Sequence, residues 1–157
     1  NKAVAVSDNK FKLVNIRLER ELPILQNAAD FKIVSPICLR RHEKNGNKDW
    51  YVSVADSKFT DVLKDCLKMQ LESYKPFLRK YVDGLQINTD LCRKTVVLHY
   101  GQAVEATIGI ISFCGEPSLL NAVNEMNLGV RKASGFGLLQ VIKSENISGS
   151  DGESHAE

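Results

Sequence analysis

The chain has little that would mark a membrane, secreted or metal-bound protein. No apolar run approaches the roughly twenty residues that a helix needs to cross a bilayer, and no basic start followed by an apolar core marks a signal peptide. On these absences the expected location is the cytoplasm. The four cysteines, Cys38, Cys66, Cys92 and Cys114, stand more than twenty residues apart, which yields neither a paired zinc-ligand motif nor a disulfide framework. The pattern predicts buried thiols. Asn146-Ile-Ser matches a glycosylation acceptor, and without a secretory signal it carries no weight.

What is present is a 157-residue chain with 43% hydrophobic and 25% charged residues, enough for one full-sized domain and a fragment of another. The net charge of +2 hides an asymmetry: residues 144–157 hold Glu145, Asp151, Glu153 and Glu157 and no Lys or Arg, so the remaining 143 residues carry +6. A moderately basic body favours a polyanionic partner. The tail is poor in hydrophobic residues and rich in Ser, Gly and Glu, and is expected to be disordered.

Apolar residues alternate along Phe31-Lys-Ile-Val-Ser-Pro-Ile-Cys-Leu, a strand in which Pro36 predicts an edge or a bulge. A polar, basic stretch follows over residues 40–49, then a short strand at 50–54, which together predict a hairpin with a flexible, charged tip. Asp56 or Ser57 can cap a helix whose apolar stripe (Phe59, Val62, Leu63, Cys66, Leu67, Leu71, Tyr74) recurs at helical spacing until Pro76. Residues 94–100 and 103–113 read as strands joined by a tight Gly101-Gln102 turn, and Pro117 opens a second helix over 118–126. A strand over 136–142 closes the body.

The order from residue 30 onward is strand, helix, strand, strand, helix, strand. This is an α+β, ferredoxin-like (RRM-like) βαββαβ arrangement, a four-stranded antiparallel sheet backed by two helices. Residues 30–143 form that domain. Residues 1–29, with another alternating stretch at 11–18, read as a strand or linker entering from a missing N-terminal domain.

Residues 127–137 read Asn-Leu-Gly-Val-Arg-Lys-Ala-Ser-Gly-Phe-Gly, with three glycines around two adjacent cations. Glycine between a helix and a strand is ordinary punctuation. Recurring glycines with Arg131 and Lys132 between them also fit a phosphate-binding loop, in which exposed amides form a concavity for an anion. It is neither a Walker loop nor a dinucleotide fingerprint, since a helix precedes it and a strand follows. The helix C-terminus in front of it repels anions, so the amides and the cations must do the attracting.

These residues resemble the CRISPR-associated endoribonucleases that cut repeat-containing precursor RNA into guide RNAs. The resemblance rests on Phe31-Lys-Ile-Val-Ser-Pro-Ile, on Gly109-Ile-Ile-Ser-Phe-Cys-Gly-Glu-Pro-Ser-Leu-Leu, on the loop from Gly129 to Ser134, and on Gly135-Phe-Gly-Leu-Leu, in that order. Where the family's loop opens Gly-x-Gly, this one has Asn127-Leu-Gly129, and asparagine is the residue that best tolerates similar backbone angles. The resemblance implies the second of two ferredoxin-like domains. It also implies metal-independent, cofactor-free cleavage by attack of a ribose 2′-hydroxyl on the adjacent phosphate, which needs a base, an acid and cations for the developing charge. The family's usual general-base histidine belongs to the first domain. Implied partners are CRISPR repeat RNA or crRNA, and a second copy or an effector complex; no membrane is implied.

The RNA-binding candidates are Asn127, Gly129, Arg131, Lys132, Ser134, Gly135 and Gly137 in the glycine loop and Arg40, Arg41, Lys44 and Lys48 in the basic hairpin. A charge run is also commonly a solvated loop. His42 is the catalytic candidate, the one histidine placed among those cations. His99, in the apolar run Val96-Val-Leu-His, reads as structural, and His155 lies in the loose tail. Phe136 can stack on a base or anchor the loop in the core. Two other classes stay open on the residues alone: a non-catalytic RNA-binding subunit, and a ferredoxin-like domain that binds a small anion.

Overall fold

The computed structural model describes residues 3–6, 9–17, 22–43 and 48–145. The tail beyond residue 145 and Lys44 lie outside them. Strands are β1 (Ala3–Val6), β2 (Asn9–Lys12), β3 (Ala28–Ile37), β4 (Leu39–Glu43), β5 (Lys48–Val52), β6 (Gln86–Asn88), β7 (Cys92–His99), β8 (Gln102–Cys114) and β9 (Leu139–Glu145). The helices are α1 (Phe59–Tyr74) and α2 (Pro117–Met126), with 3-10 turns at Pro76–Tyr81 and Lys132–Ser134.

The main sheet runs β9, β3, β8, then β6 and β7 one after the other along the outer edge of β8, each pair antiparallel. With β3, β7, β8 and β9 as the four strands and α1 and α2 on one face, this is the ferredoxin-like arrangement expected from the element order. Alternation along the strands turns Phe31, Ile111 and Phe113 toward the helices. There the rings of Phe31 and Phe113 meet edge to face at 5.5 Å. Phe59, Leu63, Cys66, Leu67 and Leu71 form the buried stripe of α1, and Leu119, Leu120, Ala122 and Val123 that of α2.

Several elements depart from the expectations. The first part of the basic stretch is regular: residues 40–43 are themselves strand β4, paired with β5 from Leu39↔Val52 to Glu43↔Lys48, and the expected tip at 44–47 lies outside the described residues. The base of this inserted hairpin is held because Leu39 and Val52 sit in the core. The turn between β7 and β8 is Tyr100-Gly101, not Gly101-Gln102. His99 pairs with Gln102, and both turn residues have positive φ, 48° and 75°, as a two-residue turn matched to strand twist requires. Of the stretch 11–18, expected as a strand or linker, β2 ends at Lys12, residues 13–17 have no regular structure and Leu18 lies outside the described residues. The helix expected from Asp56 or Ser57 starts at Phe59, with Asp56 Oδ1 accepting from the Lys58 amide in the turn ahead of it at 2.8 Å.

Pro36 lies in a central strand and not at an edge, and it is accommodated by a register shift between Ile33 and Ile37. Ahead of β3, Ile24 is already core, and Asn121 of α2 holds its backbone at both ends, accepting from its N–H at 2.9 Å and donating to its C=O at 2.7 Å.

Candidate nucleic-acid interface

The bulge in β3 exists to receive the glycine loop. The Gly137 amide donates to the Pro36 carbonyl (2.9 Å), the Val130 amide to the Cys38 carbonyl (2.8 Å), and the Leu138 amide to Ser35 Oγ (2.8 Å). Within the loop, Leu128 N–H reaches the Gly137 carbonyl at 3.0 Å, while Ser134 and Gly135 bond back to Arg131 and Lys132. Asn127, with φ 58° at the end of α2, accepts the Leu139 amide through Oδ1 at 3.1 Å. Gln70 of α1 completes the frame: its Oε1 accepts from Gly129 N–H and its Nε2 donates to the Asn127 carbonyl, both at 3.4 Å.

The glycines themselves do not supply the exposed amides of the expected concavity. The amides of Gly129, Gly135 and Gly137 bond to protein acceptors. Gly129 and Gly137 are buried glycines of close approach: a Cβ at Gly137 would lie 1.8 Å from the Leu128 carbonyl oxygen, and one at Gly129 2.4 Å from that of Cys38. What the loop turns outward is Lys132, Ala133, Ser134 and Gly135, with Arg131 at its edge. Phe136 is the anchor, 7% exposed and packed with Cys38 and Val104.

Arg131 then joins the loop to the hairpin. Its left-handed backbone (φ 59°) swings the side chain over β5, where both Nε (2.9 Å) and a terminal nitrogen donate to the Tyr51 hydroxyl. The guanidinium carbon lies 5.3 Å from the Tyr51 ring centre. Cross-strand pairing puts Arg40 opposite Tyr51, and alternation puts His42 on that same face. Two basic segments some ninety residues apart thus meet in one surface, with Arg40 and His42 on the Tyr51 face of the hairpin, Arg41 on its other face but lining one cavity with them, and Lys132 exposed on the loop. Lys48 opens β5 opposite Glu43. Lys132 Nζ also donates to the Met126 carbonyl at the end of α2 (3.1 Å), which offsets the negative end of that helix.

Beneath this surface lie two thiols. Burial pushes Cys38 up to about 11, against the opposing pull of Arg131 and Arg40. Burial also raises Cys66, against Lys132 and the Gly129 amide. Cys92 and Cys114 are only half-buried, so the expectation of four buried thiols holds for two. His99 is a packing residue, its ring 5.6 Å from that of Phe136 and its Nε2 buried without a hydrogen-bond partner among the described residues. No group of three or more His, Cys, Asp or Glu side chains among the described residues is placed to hold a metal ion.

Sequence reasoning missed Tyr51, Ser35 and Gln70. Only Tyr51 left a signal, an aromatic residue facing a run of cations across a hairpin.

The sequence model of the CRISPR associated protein Cas6 C-terminal region matches residues 19–141, which is most of the chain. The chain belongs to the Cas6 C-terminal family. Among solved structures it is similar to a Cas6-related protein from Pyrococcus furiosus, with a TM-score of 0.77 and 19% identity over 91% of this chain and 59% of that one. It is also similar to a RAMP protein described as binding different RNA substrates (TM-score 0.73, 18% identity, 90% of this chain and 59% of that one). A third similarity is to a CRISPR associated protein Cas6 (TM-score 0.65, 21% identity, 78% and 52%). These likenesses show the Cas6 fold, and the chain spans just over half of each structure's length. No curated protein matches it by sequence. The motifs that carry the family resemblance touch one another: Ser35-Pro36 and the glycine loop form a single hydrogen-bonded device.

Proposed function

We propose that this chain is the RNA-binding C-terminal half of a CRISPR endoribonuclease that processes precursor crRNA, and that it grips repeat RNA on the joint surface of the β4–β5 hairpin and the glycine loop. The observation that carries this is the Arg131–Tyr51 contact, which turns two separate cationic segments into one face. Arg40, Arg41 and Lys132 supply phosphate contacts, with Ser134 and Gly135 at the rim, and Lys44 and Lys48 are further candidates for such contacts. Asn127, Gly129 and Gly137 act through the backbone they shape. Arg131 serves both purposes, as a fixed cation and as the tie to Tyr51. Cleavage is metal-independent and cofactor-free, and takes place in the cytoplasm, with a second copy or an effector complex as further partners.

Members of the family cover more sequence than this chain, and we place the general base in that remainder. His42 is the one described histidine exposed on the basic face, and it is the candidate for a proton-transfer role within the chain.

The test is binding to a repeat RNA hairpin across a salt series. Lys132→Ala and Arg41→Ala should each lower the slope of log affinity against log salt by about one. Unchanged affinity in the double variant contradicts the reading. Incubating the full-length protein with repeat RNA in EDTA separates enzyme from subunit: a product ending in a cyclic phosphate supports cleavage, whereas stable binding without product supports a non-catalytic RNA-binding subunit.

A further inference from the structure

A cavity of about 640 Å³ opens between strand β4 and helix α1, beside the basic surface and continuous with it through Val130, the residue before Arg131. Its walls differ in kind. Arg40, Arg41 and His42 stand on the strand side. On the helix side Val62 and Met69 give an apolar wall, with Met69 67% exposed, and Cys66 forms the floor. One carboxylate, Asp65, faces into this otherwise cationic and apolar space. It has no hydrogen bond or ion pair among the described residues, although arginines line the same cavity.

A phosphate-binding groove gains nothing from that carboxylate, which repels the backbone. A site for a base does. A flat ring can lie against the valine and the flexible methionine thioether, with its flanking phosphates held at the arginine mouth. A carboxylate then selects among bases by what their edges offer. Guanine presents two neighbouring donors, N1–H and the 2-amino group, which one carboxylate accepts together. Adenine and cytosine set an acceptor nitrogen beside their amino group, and uracil flanks its single N–H with two carbonyls. Each of those three places an oxygen or nitrogen lone pair against the carboxylate.

Resting on the RNA-binding reading above, we infer that this cavity takes an unpaired guanine of the bound RNA, with Asp65 accepting N1–H and the 2-amino group, Val62, Met69 and Val130 against the ring, and Arg40 and Arg41 on the flanking phosphates. It is a specificity site beside a backbone-gripping surface. One element positions the strand by charge, and the other reads a single base.

The test uses this chain and heptameric single-stranded RNAs that are uridine except at the central position, which is G, inosine, A, C or U. The G heptamer should bind about tenfold tighter than those with A, C or U, as expected for one good base contact, and inosine, which lacks the amino group, should fall between. Asp65→Asn should remove the preference without weakening the other heptamers, since it deletes a negative charge and leaves one acceptor. In protein labelled with ¹³C-methyl methionine the Met69 signal should shift on adding the G heptamer, which gives a readout independent of affinity. Equal binding of all five RNAs, or equal strengthening of all five by Asp65→Asn, overturns the guanine site and leaves the backbone grip standing. Failure of every heptamer and of the repeat hairpin to bind overturns both.

Discussion

The glycine loop and the basic hairpin look alike in the sequence, as polar, cationic, turn-rich segments, and the structure makes them opposites. The loop is anchored, with the amides of Gly129, Val130 and Gly137 bonded to Gln70, Cys38 and Pro36, and with two glycines where no side chain fits. The hairpin is a two-stranded ribbon rooted in the core at Leu39 and Val52, with Arg40, Arg41 and His42 exposed along it. The glycines therefore report contact between chain segments, and the binding chemistry is left to side chains where the two segments meet. A rigid frame holds Arg131, and through Tyr51 that frame orients the more exposed element.

The comparison breaks most visibly at the buried glycines. Gly137→Ala should destabilise the fold by about 3 kcal/mol or more, since a left-handed φ of 79° and a backbone overlap are imposed together. Gly129→Ala should behave similarly. Gly135→Ala, at φ 86° with nothing within 4 Å of the new carbon, should cost about 1 kcal/mol from conformation alone. Urea unfolding ranks the three, and a large loss at Gly135 would show that the closed frame extends to the exposed edge.

Tyr51→Phe keeps the ring beneath Arg131 and removes the hydroxyl that accepts from it, so stability should fall by about 1 to 2 kcal/mol. RNA affinity should drop as the hairpin loses its orientation. Replacements at the hairpin's exposed cations should do the reverse, leaving unfolding unchanged while weakening RNA binding.

The smallest effect is on pH. Folding holds Cys38 and Cys92 near 11, above the ordinary thiol value of 9. The unfolded chain thus loses these protons first as pH rises. Their contribution to stability is whole below pH 9 and is lost between about 9 and 11. Cys38→Ser and Cys92→Ser should flatten the alkaline limb of the stability profile, and iodoacetamide at pH 8 should modify neither thiol appreciably in the folded chain.

Much of this was legible. The helical stripe from Phe59 to Leu71, the Pro117 start of α2 and the strand-helix order are local patterns, and local patterns give the ferredoxin-like fold. The β4 strand was missed because Arg40, Arg41 and His42 have no apolar alternation to announce it, and its pairing is fixed by the core contact of Leu39 with Val52. The Tyr100-Gly101 turn was misplaced by one residue because tyrosine seldom adopts positive φ, and strand register decided the turn instead. In the site, Arg131 and Lys132 were recognised as cations. The partner that fixes Arg131 was not, since Tyr51 comes near it only through a long-range contact. The glycine amides were read as free because a sequence does not show which carbonyls will face them.

The most direct measurement of the joint surface is a backbone amide NMR titration of the chain with repeat hairpin RNA. The expected result is that residues 40–42 and 131–135 shift together along one saturation curve, while the frame amides of Leu128, Gly129 and Gly137 stay in place. Shifts confined to one of the two segments, or two segments saturating at different RNA concentrations, would contradict the account.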